Sequence, residues 1–388
     1  MFILEKPYVS DLLKTTLTEI NAKVLDNEVA SNTLSKTKLP LYSEQDFIRL
    51  YNENSDIPVY SNSENSIDWI DNNLSSGDLP QKIRLFKDKS AFRDLVKDMY
   101  PDFFYRTVKF EELDNVVPTE IAIPCVIKPC VGFFSLGVHM VESVEEWHKA
   151  VAAIKDEVEH IKTMYPAKVL ELDNFIIEQC IEGEEFAVDA YYDKEGNPVI
   201  INILGHLFAS SDDVSDRCYI TSTKIINKHH DNFLELLKKI GKRAELKNFP
   251  IHIEVRTDKQ GNLGVIEVNP MRFAGWCVTD LAYFAYGINP YKYYMEGKSP
   301  DWSKISDCCK DKVYAMIIGD LDSSVDCSKI KSVDYDAFKA NFSKPLELRK
   351  IDYKEYPVFA FVFAEVDAGN MDELKRMLHA DFKEYLKF

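Results

Sequence analysis

The chain lacks any C-x-x-C pair among its eight cysteines, Cys125, Cys130, Cys180, Cys218, Cys277, Cys308, Cys309 and Cys327. Cysteines so spaced build neither a zinc site nor a disulfide framework, and read as reduced, mostly buried thiols of a cytoplasmic protein. It also lacks an apolar run near the ~20 residues of a membrane span. The longest, VFAFVFA at 358–364, reads as a buried strand. Basic residues are in deficit: 47 Lys and Arg stand against 64 Asp and Glu, a net charge of −17. That balance argues against sequence-independent nucleic-acid binding and leaves room for a local basic pocket that takes an anion. There is no internal repeat and no low-complexity tract. No G-x-G-x-x-G follows the first strand, so the dinucleotide fingerprint is absent. The opening MFILEKPYVSD meets Glu5 and Lys6 too early for a signal peptide.

What is present is a chain of 388 residues, 46% hydrophobic and 29% charged, long enough for two or three domains with sizeable cores. Residues 1–84 alternate short strands (2–4, 23–25, 58–60) with amphipathic helices, the pattern of a small parallel sheet covered by helices. Leu74 to Pro80 reads as a linker, and a helix is expected from Phe86, with Phe92, Leu95, Val96 and Met99 on its buried stripe. The strand at 125–127 delivers Lys128 and Pro129 to a turn containing Gly132, Ser135 and Gly137. Such a turn brings backbone N–H groups close to an anion, although the Walker order is reversed, since the lysine precedes the loop. A clean amphipathic helix follows, with Val144, Trp147, Val151, Ile154, Val158 and Ile161 at 3-4 spacing. Another strand ends in the acidic turn Glu182-Gly183-Glu184-Glu185.

Pro250 to Trp276 reads as a β-hairpin about Asp258-Lys259-Gln260-Gly261-Asn262. A turn centred between Gln260 and Gly261 pairs Ile253 with Val268 and Val255 with Ile266 on an apolar face. It sets Glu254 opposite Glu267 and His252 opposite Asn269 on the other. Like charges about 5 Å apart destabilise a bare sheet. Two carboxylates and an amide oxygen converging so suit a hard cation such as Mg²⁺. Taken alone, the same pattern is equally that of a hairpin with ordinary surface acids.

Together these motifs, in this order, resemble the ATP-grasp superfamily over roughly residues 86–290: Asp88-Lys89, strand-Lys128-Pro129 and glycine loop, Glu178…Gly183-x-Glu185, and the distal Glu254…Glu267-x-Asn269. Each motif is weak alone; four in order are strong. The resemblance implies an α+β / α/β fold: an N-terminal Rossmann-like α/β domain (1–84), an ATP-grasp domain of two lobes (85–300) hinged near 178–185, and a C-terminal α+β lobe (301–388). It implies that Lys128 contacts the α/β phosphates, that Lys89 and Arg93 also meet phosphate, and that Gly132, Ser135 and Gly137 belong to a lid. The hinge of Glu178, Gln179, Cys180 and Ile181 then reads adenine, with Glu185 on the ribose. Glu254, Glu267 and Asn269 hold one or two Mg²⁺, with Mn²⁺ as an alternative ion.

The sequence departs from the family in Phe133 and Phe134 on the lid, in Arg93 for a lysine, and in Arg272 standing three residues after Asn269 where many relatives have two. Arg272 and Lys128 are the expected catalytic pair, Arg272 against the acceptor or acyl phosphate. The implied activity is an ATP-dependent, ADP-forming ligase of small molecules that joins a carboxylate to an amine or other nucleophile, first among them an amino-acid or peptide ligase. The implied enzyme has no nucleic-acid or membrane partner, and a homodimer is compatible with it. The alternatives are a non-catalytic ATP/Mg module and a carbamoyl-phosphate-synthetase-like or carboxylase-type enzyme. A carboxylase would need a separate carrier, because no A-M-K-M occurs.

Overall fold

A computed structural model describes the chain except residues 133–136, 165–171, 211–215 and 323, and except the side chains of 159–164 and 308. The first sheet is parallel, in the order β3-β2-β1-β4: β1 (Phe2–Ile3), β2 (Val24–Leu25), β3 (Leu41–Tyr42) and β4 (Tyr60–Ser61). Serine and asparagine caps start the helices between them. Ser10 accepts from Leu13 N ahead of α1 (Asp11–Glu19), Asn27 from Ala30 N ahead of α2 (Glu28–Thr33), and Ser43 from Asp46 N ahead of α3 (Glu44–Glu53). Strand β3 and helix α2 were not expected from the sequence. Two residues are too few to show a period, and α2 buries little beyond Ala30. After α4 (Ile67–Asn73) the expected linker is only partly a loop. Leu79 and Pro80 are already the buried first turn of α5 (Leu79–Lys87). The helix expected from Phe86 instead starts afresh at α6 (Lys89–Val96), because the Asp88 carboxylate accepts the N–H groups of Ser90 and Ala91 and caps it.

The small lobe is an antiparallel sheet in the order β5-β8-β6-β7: β5 (Tyr105–Lys109), β6 (Cys125–Pro129), β7 (His139–Val141) and β8 (Asn174–Gln179). Cys125, Ile127, Phe175 and Ile177 on one face pack with Trp147, Val151, Ile154 and Val158 of α7 (Trp147–Met164). Alternation leaves Val126, Lys128, Met140, Ile176 and Glu178 on the other face.

The large sheet has eight antiparallel strands in the order β13-β12-β9-β10-β11-β14-β17-β16. These are β9 (Glu184–Tyr192), β10 (Pro198–Leu207), β11 (Cys218–Thr221), β12 (Phe249–Thr257), β13 (Leu263–Pro270), β14 (Lys312–Asp320), β16 (Pro345–Lys350) and β17 (Val358–Asp367). The C-terminal strands thus extend the sheet that carries the hairpin, while β15 (Ser332–Val333) and β18 (Leu386–Lys387) form a separate ribbon. Phe186, Val188 and Ala190 of β9 and Ile251, Ile253 and Val255 of β12 share a core with α8 (Thr223–Arg243), α5 and α6. The opposite face then presents Glu185, Ala187 and Asp189 beside His252, Glu254 and Arg256, and beyond them Glu267 and Asn269.

The hairpin register is as expected for His252–Asn269, Ile253–Val268 and Glu254–Glu267, and then slips. Val255 pairs with Val265, not with Ile266. A bulge at Ile266 lets Val265 and Val268, three residues apart, both reach the core. The bulged carbonyls are put to use in the cleft.

Candidate active site

The small-lobe face bearing Lys128 and the β12–β13 face bearing the acids are joined by α6. Its N-terminus is tied to the end of β6, where Lys89 N donates to Cys130 O at 2.9 Å. Lys89 Nζ lies 3.6 Å from Glu267 Oε2. One turn later Arg93 Nε donates to Glu178 Oε2 at 2.7 Å, NH1 to Val265 O at 2.7 Å and NH2 to Ile266 O at 3.4 Å. Lys128 Nζ pairs with the other Glu178 oxygen. Arg93, Lys128 and Glu178 are each less than 10% exposed. The Arg93 guanidinium, expected at phosphate, bonds Glu178 and the bulge. It binds the two lobes together and stacks over Phe103, 4.7 Å from the ring centroid. Burial alone would raise the Glu178 carboxyl; Lys128 and Arg93 outweigh it and hold it below its ordinary value. Burial also pushes the Lys128 ammonium down, against the pull of Glu178.

Glu254 and Glu267 face one another in register and titrate apart. Burial and then the Glu267 charge raise Glu254. Burial also acts to raise Glu267, but Lys89, Lys128 and Lys87 lower it to about 2. Asn269 Nδ2 donates to Glu267 Oε1 at 3.1 Å. His252 Nδ1 lies 2.8 Å from Asp189 Oδ1, and Nε2 lies 3.6 Å from Glu254 Oε1. Burial lowers the imidazole, yet those carboxylates raise it to about 9, so it is cationic beside the acids. Asp189 Oδ1 also accepts from Ala274 N at 2.7 Å, while Oδ2 is buried without a hydrogen-bond partner among the described residues.

Among the described residues no three Asp, Glu, His or Cys side chains converge to hold an ion. An ion here would take Glu254, Glu267 and the Asn269 amide oxygen. That donor set is all hard oxygen, and phosphate and water would complete the shell, as Mg²⁺ prefers. A repelled carboxylate pair with Glu254 raised is what such a cation would relieve.

In the turn between β8 and β9, Gly183 has φ +124°, and a Cβ there would sit 2.2 Å from Thr257 O, so only glycine lets this turn close on β12. Gly264 is as tight against Ile181, 2.4 Å from a side-chain carbon. The Glu185 carboxylate, expected on a ribose, accepts from Arg256 Nε (3.1 Å) and NH2 (3.0 Å), with His206 Nδ1 3.3 Å away. Arg256 NH1 donates to Ile181 O at 2.7 Å. Burial raises Glu185; His206 and Arg256 more than offset this. Gln179 Oε1 accepts from Phe104 N, and Cys180 N donates to Pro124 O. Met140, 56% exposed, lies on the cleft face opposite Val126. Gly132 and Gly137, expected in a lid, flank residues 133–136; Ser135, Phe133 and Phe134 lie outside the described residues.

Arg272 Nε donates to Glu64 Oε1 at 3.2 Å, NH2 lies 3.1 Å from the same oxygen, and NH1 donates to Phe273 O at 3.0 Å. Lys87 Nζ donates to Glu64 Oε2 at 2.5 Å. Sequence reasoning assigned no role to Glu64, Asp189, His252, Arg256 or His206. His252 had a signal, because it shares the alternating face of Glu254. Asp189 had none, since its place depends on the β9–β12 register, and Glu64 is 208 residues from Arg272.

Residues 121–280 match the family model described as an ATP-grasp domain. The fold is that of an L-amino acid ligase from Bacillus licheniformis (TM-score 0.65, 14% identity, 99% of this chain and 97% of that one). It is likewise that of an N5-carboxyaminoimidazole ribonucleotide synthetase from Thermotoga maritima (TM-score 0.64, 14% identity, 100% and 98%). A biotin carboxylase from Campylobacter jejuni is similar too (TM-score 0.63, 13% identity, 100% and 91%). No curated protein matches the chain significantly.

Proposed function

We propose, on the premise that this chain carries an ATP-grasp domain, that it is an ATP-dependent ligase joining a carboxylate to an amine, with amino acids or peptides as substrates. The observation that carries the reading is the convergence of Glu254, Glu267 and Asn269 with Lys89 and Lys128 on one cleft. Acids and ammonium groups so paired suit a triphosphate with its metal. Mg²⁺ would neutralise phosphate charge and so favour phosphoryl transfer.

The chain's own residues do the rest. Lys128 keeps two of its three N–H donors for phosphate beyond the one given to Glu178. The hinge from Gln179 to Ile181 receives the adenine edge, with Val126 and Met140 as apolar wall. Glu185, held by Arg256 and His206, borders the ribose. A substrate carboxylate oxygen attacks the γ-phosphorus, the bond to the β-phosphate oxygen breaks, and ADP leaves. The amine then attacks the acyl carbon, phosphate departs with the bonding pair, and the amine proton passes to solvent. Arg272 bears the charge of the carboxylate and of the departing phosphate. Catalysis of this kind is positioning and charge stabilisation.

A non-catalytic ATP-binding module is the less favoured reading, since Lys89, Lys128, Glu254, Glu267 and Asn269 converge on one cleft. The L-amino acid ligase fold neighbour supports amino acids as the first substrates to test. With Mg²⁺·ATP and each of the twenty L-amino acids, singly and in pairs, ADP release should rise above the ATP-only rate for at least one combination. A flat response across amino acids, and across simple carboxylates and amines, would leave only the binding module.

A further inference from the structure

We infer that Glu64, from the N-terminal domain, is a positioning residue that sets the Arg272 guanidinium for the reacting carboxylate. The inference rests on the ligase reading of this cleft. Glu64 opens a short 3-10 turn (Glu64–Ser66), and its carboxylate is fully engaged: one oxygen faces Arg272 Nε and NH2, the other takes Lys87. Burial would raise Glu64, but Arg272 and then Lys87 keep it below its ordinary value and so ionised.

The turn itself is held from several sides. Ser61 Oγ donates to Ser63 O at 2.7 Å, Ser66 Oγ to the same carbonyl at 3.0 Å, and Asn62 Nδ2 to Glu5 O (2.7 Å) and Tyr8 O (2.9 Å). Ser61 N donates to Met271 O at 2.9 Å, which stitches this turn to the residue before Arg272. A carboxylate on so fixed a base is a template, not a swinging latch.

Arginine has five N–H donors. With three turned to Glu64 and Phe273 O, two remain, and their direction is set before any substrate arrives. Glu64 also separates Arg272 from Lys87, two cations that would otherwise repel across the cleft. The N-terminal domain thus contributes a carboxylate to the site, and its effect should be felt far more by the substrate carboxylate than by ATP.

The test is a double-mutant cycle on amino-acid-dependent ADP release, using the amino acid most active with the parent. Glu64→Gln should lower kcat/KM for that carboxylate by about 10–100-fold, as loss of a partner that orients a working group does. ATP affinity by calorimetry should change by much less. In an Arg272→Lys background the same change should cost far less, because the effect of Glu64 on the substrate runs through the guanidinium. Glu64→Asp, charged but shorter, should recover part of the rate, and the cycle is read from it if Glu64→Gln fails to fold. A parent-like rate in Glu64→Gln, or an equal loss in both backgrounds, would overturn the positioning role while leaving the ligase reading intact. A parent that releases no ADP with any carboxylate removes the ligase reading, and this one with it.

Discussion

Glu254→Gln should slightly stabilise the metal-free protein and, in the same molecule, cut turnover by at least about 100-fold. The Glu254 carboxyl is raised by burial and by Glu267. A group whose folded pKa is raised favours folding only below its unfolded value, and that contribution is lost as pH rises through the folded pKa. Above its folded pKa the ionised Glu254 therefore opposes folding. Glutamine removes the repulsion, keeps an oxygen toward His252, and should gain about 0.2–1 kcal/mol, the scale of a cross-strand pair.

Glu267→Gln should move stability the other way. Lowered to about 2 by Lys89, Lys128 and Lys87 against burial, Glu267 adds stability above its unfolded pKa that is lost as pH falls toward 2. Both variants should lose most of the Mg²⁺·ATP-dependent rise in melting temperature, because only a ligand bound to the native state adds to its stability. Thermal melts of parent and both variants, with and without Mg²⁺ and ATP, check this. If Glu254→Gln keeps the parent's Mg²⁺·ATP shift, the two carboxylates are surface acids.

The second large effect is at Lys128. Lys128→Met should weaken ATP binding and reduce turnover by about 10²–10³-fold or more, the cost of deleting one preorganised charge donor. The Glu178 carboxylate would keep Arg93, so the fold should survive with reduced stability. The coupling matters, because Lys128 and Arg93 hold one carboxylate between them, and Arg93 in turn holds the β13 bulge. Loss of Lys128 should therefore be felt in the nucleotide cleft on both sides of α6. Calorimetry of ATP with Mg²⁺ measures it, and equal affinity in variant and parent would sink the phosphate role.

Alternation along strands made much of this legible in the sequence. Given one turn, side chains on β12 and β13 fall on known faces, so Glu254, Glu267, Asn269 and even His252 came out together. The same logic hid the bulge. Sequence pattern cannot tell that Val265 replaces Ile266 in the core, and so the bulge carbonyls that Arg93 uses were unseen. The D-K spacing of Arg93 says nothing about which acid it meets, so its bonds to Glu178 and the β13 bulge were not legible. The two hairpin acids read as equal liabilities, but only Glu254 is one, since the cations that favour Glu267 come from α5, α6 and β6. Asp189 and Glu64 depend on strand register and domain packing, which leave no local trace. Leu79 and Pro80 read as linker because Pro near a glycine resembles a loop; in fact proline sits in the first turn of α5, where its missing N–H costs nothing.

The most direct test of an acyl-phosphate ligase is to intercept the acyl phosphate. Hydroxylamine, supplied in place of the amine, attacks an activated acyl group and leaves a hydroxamate. With Mg²⁺·ATP and an active amino acid, hydroxamate should accumulate in step with ADP, and both should fall together in Lys128→Met. ADP formed without hydroxamate, or no amino-acid-dependent ADP at all, would contradict the account.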